Sequence, residues 1–244
     1  MEVRDEHAEE ARAVMLSLFP DGFEEVERDG SVELVAYTDA AGEEQLWHVF
    51  GGARSTDVED GWEDRWRSFH QPVDVGRLWI GPPWEEPSAD GLPVVIDPGR
   101  AFGTGAHPTT QLCLQLLQDI EPASLLDVGC GSGVLAIAAA LLGFVPVRAV
   151  DVEETAVDAT RANARANGVE IVVEVVAPDA VLPAAAVVVA NISHAAVASL
   201  PARIHAHTLV TSGYLESDQL TLEGWSRSER VVDAGWAADV YERV

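Results

Sequence analysis

Leu125-Leu126-Asp127-Val128-Gly129-Cys130-Gly131-Ser132-Gly133 is a short apolar strand running straight into a turn with glycine at every second position. Such a turn bends sharply and brings backbone N–H groups close to a ligand. A dinucleotide-binding turn is spaced G-x-G-x-x-G, which from Gly129 would put its third glycine where Val134 stands. The G-x-G-x-G spacing leaves no room for a pyrophosphate at the helix start. It suits a smaller charged ligand, such as an amino-acid-bearing nucleoside.

Working outward, strand and helix patterns alternate. Ser124–Val128 predicts a strand and Val134–Leu142 an Ala/Leu-rich helix. Val147–Val150 predicts the next strand, and 155–167 a helix capped by Gly168. Ile171–Val176, Val187–Ala190 and Thr208–Thr211 are further short β-branched runs. Repeated units of this kind predict an α/β fold, a mostly parallel sheet with helices on both faces. Ligands in such sheets bind at the carboxyl ends of the strands.

Three further signals fall at those ends. Asp151 closes the second strand, 22 residues after Gly129, where an acid accepts hydrogen bonds from both hydroxyls of a bound ribose. A helix N-cap is its competing role. Ala190-Asn191-Ile192 sets a polar amide at the lip of an apolar strand, well placed to accept a hydrogen bond from an amine in a cleft. His194 lies two residues on, where acid–base work competes with a packing or surface role. Residues 97–110, DPGRAFGTGAHPTT, form a glycine- and proline-rich loop ahead of a helix predicted from Gln111 to Gln118. Pro108 belongs near that helix start, where its missing N–H costs nothing. A helix cap and nothing more is its competing role; the loop's length and polarity predict that it closes over the cleft.

The first 50 residues predict a small α+β unit. Ala11, Val14, Met15 and Leu18 follow the spacing of an amphipathic helix over Glu6–Phe19, which Pro20-Asp21-Gly22 stops. Ser31–Thr38 alternates like a strand, residues 39–43 supply a turn, and Gln45–Phe50 reads as a second strand. Asp57–His70 predicts a connecting helix with Trp62, Trp66 and Phe69 on one face, docking onto one of the domains. Pro82, Pro83, Pro87, Pro93 and Pro98 mark an ordered crossing into the second domain. The expected division is a small unit at 1–55, a helical linker and crossing at 56–90, and the main α/β domain at 91–244.

Composition narrows the function. The 244 residues carry 41 acidic and 15 basic side chains, a formal charge of −26, which disfavours a nucleic-acid binder. All the basic residues are Arg, so mechanisms needing a Lys Schiff base or a P-loop Lys are excluded. Cys113 and Cys130 match no metal-ligand spacing, and a disulfide scaffold is not expected at this length. The acidic start is no signal peptide, and glycines and Pro146 break up the longest uncharged stretch, so a soluble, cytoplasmic chain without a membrane span is expected. It is taken as a monomer.

The loop at 97–110, the DVGCGSG turn, Asp151 and Asn191-Ile192 together resemble the ribosomal protein L11 methyltransferases, the PrmA family. The likeness extends to the WEDRW and RLWIGPPW stretches and so to essentially the whole chain. It implies a Rossmann-like class I methyltransferase domain behind a small ferredoxin-like substrate-recognition domain, with S-adenosyl-L-methionine as cofactor. By the resemblance, Thr110, Gly129, Asp151 and Asn191 match cofactor contacts, with Gly131 in the same turn. Phe102, Thr104, Gly105 and His107 belong to the family's signature loop and join the cofactor-binding set. The implied reaction transfers methyl groups to Lys or N-terminal amines of ribosomal protein L11, a basic partner suited to an acidic enzyme, with Asn191 as the catalytic residue. Two departures stand out: the N-terminal unit is short, its first strand no longer than Glu2–Arg4, and Ser193-His194 follow Asn191-Ile192 where small apolar residues are expected. Two alternatives stay open. One is an N-methyltransferase acting on another protein or a small amine, and the other a non-catalytic, ribosome-associated cofactor binder.

Overall fold

The computed structural model describes residues 2–4, 11, 14–15, 18, 24–28, 31–36, 40–50, 70–89, 91–98 and 105–244. The chain divides into two compact units, Met1–Asp64 and Arg65–Val244.

In the first unit, β1 (Glu2–Arg4), β2 (Glu24–Arg28) and β3 (Ser31–Val35) form an antiparallel sheet in the order β1-β3-β2. Ala11, Val14, Met15 and Leu18 are helical, and α1 spans Ala40–Phe50. Ala11, Met15, Val32, Leu34 and Leu46 make its core, with Val3, Leu18, Ala36 and Phe50 packed against them. The strand expected at Gln45–Phe50, and the turn ahead of it from residue 40, are instead this helix. Gly42 and Leu46 are buried and Phe50 half-buried, whereas Trp47, His48 and Val49 are exposed. One face every fourth residue is thus what the core selects, overriding the β preference of Trp, Val and Phe. The described order is β-α-β-β-α. A closing strand of a ferredoxin-like βαββαβ unit would follow Phe50, where 51–69 lie outside the described residues, as does most of the helix expected at Asp57–His70.

The second unit opens with a three-stranded sheet, β4 (Val73–Val75), β5 (Leu78–Gly81) and β6 (Leu92–Val95). Residues 70–89, the described part of the expected linker and crossing, carry strands and turns. Leu78, Trp79 and Ile80 are buried, and a continuous apolar run of this kind builds a strand covered on both faces. There follow α2 (Pro108–Leu117), β7 (Leu125–Val128), α3 (Val134–Leu141), β8 (Val147–Asp151) and α4 (Glu154–Ala166). Then come β9 (Val172–Val175), β10 (Val187–Asn191), α5 (His194–Ser199), β11 (Thr208–Leu215), β12 (Trp225–Asp233) and β13 (Trp236–Arg243). The expected strands and helices from Ser124 to Thr211 are all present, within a few residues of their predicted ends. Helix α2 starts three residues earlier than expected, at Pro108.

The main sheet has seven strands in the order β12-β13-β11-β10-β7-β8-β9. β7, β8, β9, β10 and β11 pair in parallel, and β13 runs antiparallel to both β11 and β12. Alternate residues serve opposite faces. Leu125, Val187, Val189 and Val210 pack in one cluster with Leu114 and Leu117 of α2 and Ile137 of α3. Leu126, Val128, Val188, Ala190 and Leu209 pack in another with Val197 of α5. The strand order reverses between β7 and β10, and that switch point opens at the carboxyl ends of both. Among the described residues, no helix is long and apolar enough to cross a membrane.

Side-chain amides staple the small sheet to this frame. The Gln118 amide donates to the carbonyls of Val75 and Leu114, each at 3.0 Å, and its oxygen accepts from the Arg77 N–H at 2.8 Å. From α4, Asn167 accepts from the Val95 N–H at 2.8 Å and donates to the Val95 carbonyl at 2.6 Å. Asn163, one turn earlier, accepts from the Asp97 N–H at 3.1 Å and donates to the Ser132 carbonyl at 2.9 Å. Asn163 is 3% exposed. Removing its amide takes a hydrogen bond from the buried Ser132 carbonyl and another from the Asp97 N–H, so Asn163→Ala should lower unfolding stability by roughly 2 kcal/mol. Urea denaturation would measure this, and a change inside experimental error would refute the stapling role.

Candidate functional site

The cleft at the switch point is built from the ends of three parallel strands. At the end of β7 the ladder carries on into the turn: the N–H groups of Gly129 and Cys130 both donate to the Val150 carbonyl, at 2.8 and 3.2 Å. The Asp151 carboxylate takes over from there. Its Oδ2 accepts from the Gly131 N–H at 3.0 Å and its Oδ1 from the Glu153 N–H at 3.1 Å. Each oxygen keeps lone-pair capacity for a ligand.

The three glycines of the turn are there for different reasons. A Cβ on Gly129 would overlap Cγ2 of Ile192. Gly131 supplies the N–H that meets Asp151. A Cβ on Gly133 would come 2.8 Å from Cγ2 of Thr160, so this last glycine lets α3 and α4 pack closely. The Thr160 hydroxyl in turn donates to the Gly131 carbonyl at 2.9 Å.

Asn191 ends β10, and its Nδ2 donates to the Thr110 hydroxyl in the first turn of α2 at 3.1 Å. With its nitrogen so engaged, Oδ1 remains to accept from a ligand. The cleft, of about 480 Å³, brings together Thr110, Gly129, Gly131, Asp151 and Asn191. Val152, Val176, Pro178 and Ile192 give it apolar walls. Among the described residues of its lining Arg203 is the one cation, tethered by its Nε to the Ala180 carbonyl at 3.0 Å.

The other expected site residues are not among the described residues of the cleft lining. Phe102 and Thr104 lie outside the described residues. Gly105 does not line the cleft; a Cβ there would meet Ile80 at 2.5 Å. His107 does not line it either. Its Nδ1 accepts from the Thr109 N–H at 3.3 Å, capping α2, and its ring stands edge-on to Trp236 with centroids 4.9 Å apart. His194 also packs, edge-on to Tyr214 at 5.9 Å.

Sequence reasoning passed over Asp127. Its Oδ2 accepts from the Ala136 N–H at 3.1 Å, capping a helix whose own N-cap, Gly133, has no side chain to offer. Its Oδ1 is buried without a hydrogen-bond partner. Burial pushes the Asp127 carboxyl up to about 7; the nearby Asp151 charge pushes the same way, and the Ala136 N–H opposes both. Burial also pushes the Cys130 thiol, at the cleft wall, up to about 12, so it is no nucleophile at neutral pH.

An acid whose pKa is raised in the folded state binds more protons folded than unfolded, so its contribution to stability falls as pH rises between the two values. For Asp127 that window runs from 3.8 to about 7. Asp127→Asn removes the ionisation and keeps an acceptor for Ala136. The melting temperature of the variant relative to wild type should therefore shift in the variant's favour as pH rises from about 4 to about 7, then level off. A difference that stays flat across that range would show that Asp127 does not titrate there.

A family model described as ribosomal protein L11 methyltransferase (PrmA) matches residues 3–238. A ribosomal protein L11 methyltransferase of Legionella pneumophila (strain Lens) is 43% identical over 170 residues, covering 65% of this chain and 58% of that protein. One from Symbiobacterium thermophilum is 49% identical over 140 residues, covering 55% of this chain and 46% of the other. The chain thus spans about half the length of the curated relatives it matches. The crystal structure of ribosomal protein L11 methylase from Lactobacillus delbrueckii subsp. bulgaricus aligns with a TM-score of 0.65 at 27% identity, over 71% of this chain and 99% of that one.

Proposed function

The chain belongs to the ribosomal protein L11 methyltransferase (PrmA) family, and from that footing we propose that it transfers methyl groups from S-adenosyl-L-methionine to amino groups of ribosomal protein L11. The observation that carries this reading is one cleft shared by the ribose-type acid Asp151 and the strand-end amide Asn191. The donor set fits an adenosyl cofactor. Asp151 retains acceptor capacity for two ribose hydroxyls, the Gly129–Gly131 turn admits close approach, and Val152, Val176 and Pro178 offer apolar surface for a base. When bound, the cofactor supplies an electrophilic methyl group on a sulfonium.

The rest falls to the chain's own residues, and it is a matter of placement. An amine attacks only when neutral, and a free Lys amine titrates near ~10.4. Desolvation against the apolar walls lowers that value. Thr110 holds the Asn191 amide by its nitrogen, so Oδ1 accepts an N–H of the incoming amine and aims its lone pair. No general base is needed, since the displaced proton leaves to solvent after transfer. We assign substrate recognition to the small N-terminal unit. Residues 1–64 hold 19 acids against 4 Arg, a charge balance that draws in a basic protein.

Incubation of ribosomal protein L11 from the same organism with the enzyme and cofactor should add mass in steps of one methyl group, read by intact mass spectrometry. Asp151→Ala should abolish the gain. Asn191→Ala should lower kcat roughly 10²-fold while S-adenosylhomocysteine affinity changes less than about threefold. An unchanged kcat would remove Asn191 from the transfer step. Cofactor binding without any mass gain would redirect the assignment to another amine.

A further inference from the structure

We infer that Gly213 is a positioning residue for methyl transfer, setting the Asn191–Ile192 segment against β11; this rests on the function proposed above. Gly213 is the extra residue of a bulge. β11 and β13 pair Ser212 with Ala238 and then Tyr214 with Ala237, which leaves Gly213 unmatched. Bulges bend a strand locally and re-aim what lies beside it. Here φ is +100°, a conformation that L side chains rarely adopt.

What lies beside the bulge is the end of β10. The Ile192 N–H donates to the Ser212 carbonyl at 3.2 Å, one step beyond the last β10–β11 pair, Asn191 with Ser212. A Cβ on Gly213 would overlap the Ile192 carbonyl oxygen and stand 2.7 Å from its carbonyl carbon and 3.1 Å from its nitrogen. These are backbone atoms, so no rotamer change relieves the contact. On the other side of Ile192, a Cβ on Gly129 would overlap Cγ2 of the same residue. Ile192 is therefore clamped between glycines contributed by β11 and by the turn after β7, and neither neighbour can gain a side chain without moving it.

The consequence reaches the reacting groups through one peptide bond. Asn191 is held at its side chain by Thr110 and at its following residue by the Gly213 bulge. Any shift of Ile192 swings the Asn191 amide away from the place where it meets the amine. Asp151 and the Gly131 turn, which make the ribose end of the cleft, touch neither Gly213 nor its bulge in the bonds described above. Loss of Gly213 should therefore separate catalysis from cofactor affinity.

The test compares Gly213→Ala with Gly224→Ala. Gly224 also has positive φ, +76°, but open space where a Cβ would go. Gly224→Ala carries the strain of a left-handed side chain without a clash. Gly213→Ala should lower kcat on ribosomal protein L11 by about tenfold or more, with S-adenosylhomocysteine affinity by calorimetry within about threefold of wild type. Gly224→Ala should leave both within about twofold. Crystal structures with S-adenosylhomocysteine should show residues 191–192 displaced in Gly213→Ala and superimposable in Gly224→Ala. Should Gly213→Ala not fold, Gly213→Asn, which tolerates positive φ better and carries the same Cβ, is judged by the same criteria.

Unchanged kcat, equal losses of kcat and affinity, or an undisplaced 191–192 segment would each overturn the inference. So would failure of both Gly213 variants to fold while Gly224→Ala folds, since the clash would then act on the fold and not on transfer. If wild type methylates no ribosomal protein L11, the proposed substrate fails. The positioning role is then decided by the crystal structures alone.

Discussion

A single hydrogen bond, from the Gly131 N–H to the Asp151 carboxylate at 3.0 Å, joins the first two βα turns of the main sheet. Below it the two strands are in ordinary parallel register, with Val128 opposite Val150. At the turn the regular ladder ends, and the Val150 carbonyl accepts two consecutive N–H groups instead of one. The chain after β7 is thereby pulled toward β8 before α3 begins. Without an acceptor at position 151, the next N–H of the turn would have no partner from the neighbouring strand. The cleft floor exists because a side chain extends the ladder one step past the strands. The same side chain retains capacity for a ligand, so structure and binding draw on one group.

Directly below lies a second carboxyl with the opposite surroundings. Asp127 is 1% exposed, and its single hydrogen bond comes from the N-terminal turn of α3. A helix start carries partial positive charge and unsatisfied N–H groups, which favours an acceptor there but does not require a charge. A neutral carboxylic acid meets the need, because one oxygen caps Ala136 whether or not the group carries a proton. Burial and the neighbouring Asp151 both act against the ionised form. Two acids within one strand pair of each other thus divide their work, one sealing a helix inside the core and one facing the cleft.

The features legible in the sequence are those fixed by a few adjacent residues. The glycine turn, Asp151 at a strand end and Asn191 at the lip of Val187–Ala190 each announce themselves within ten positions, and the structure places all of them in one cleft. The parallel sheet followed from the same locality, since β-branched runs alternated with helical patterns. What was not legible depends on distant partners. Gln45–Phe50 is rich in strand formers but is helical, because the spacing of Gly42, Leu46 and Phe50 matches the core it meets. His107 carries no local sign that Trp236, more than a hundred residues on, will receive its ring. β12 and β13 were not anticipated, since β12 is largely exposed and lacks a clean alternation. Gly213 did leave a trace, an isolated glycine inside the strand-like run Thr208–Leu215, which signals a bulge or a close backbone approach.

The acidity of the chain fits this division between local geometry and long-range effect. At physiological ionic strength, charges are screened beyond roughly 8 Å, so the −26 formal charge does not choose which amine enters the cleft. Under the proposed function it acts on encounter, raising the rate at which a basic protein arrives and weakening as salt is added. Under that reading selection is left to contacts within a few ångströms of Asn191, and these depend on Thr110 and on the glycines around Ile192. The absence of Lys belongs to the same logic. Under the proposed function, an acidic surface that draws a basic partner and a cleft that takes an amine meet no Lys side chain of their own chain. Every basic residue is an Arg, whose guanidinium stays protonated and offers no lone pair for attack.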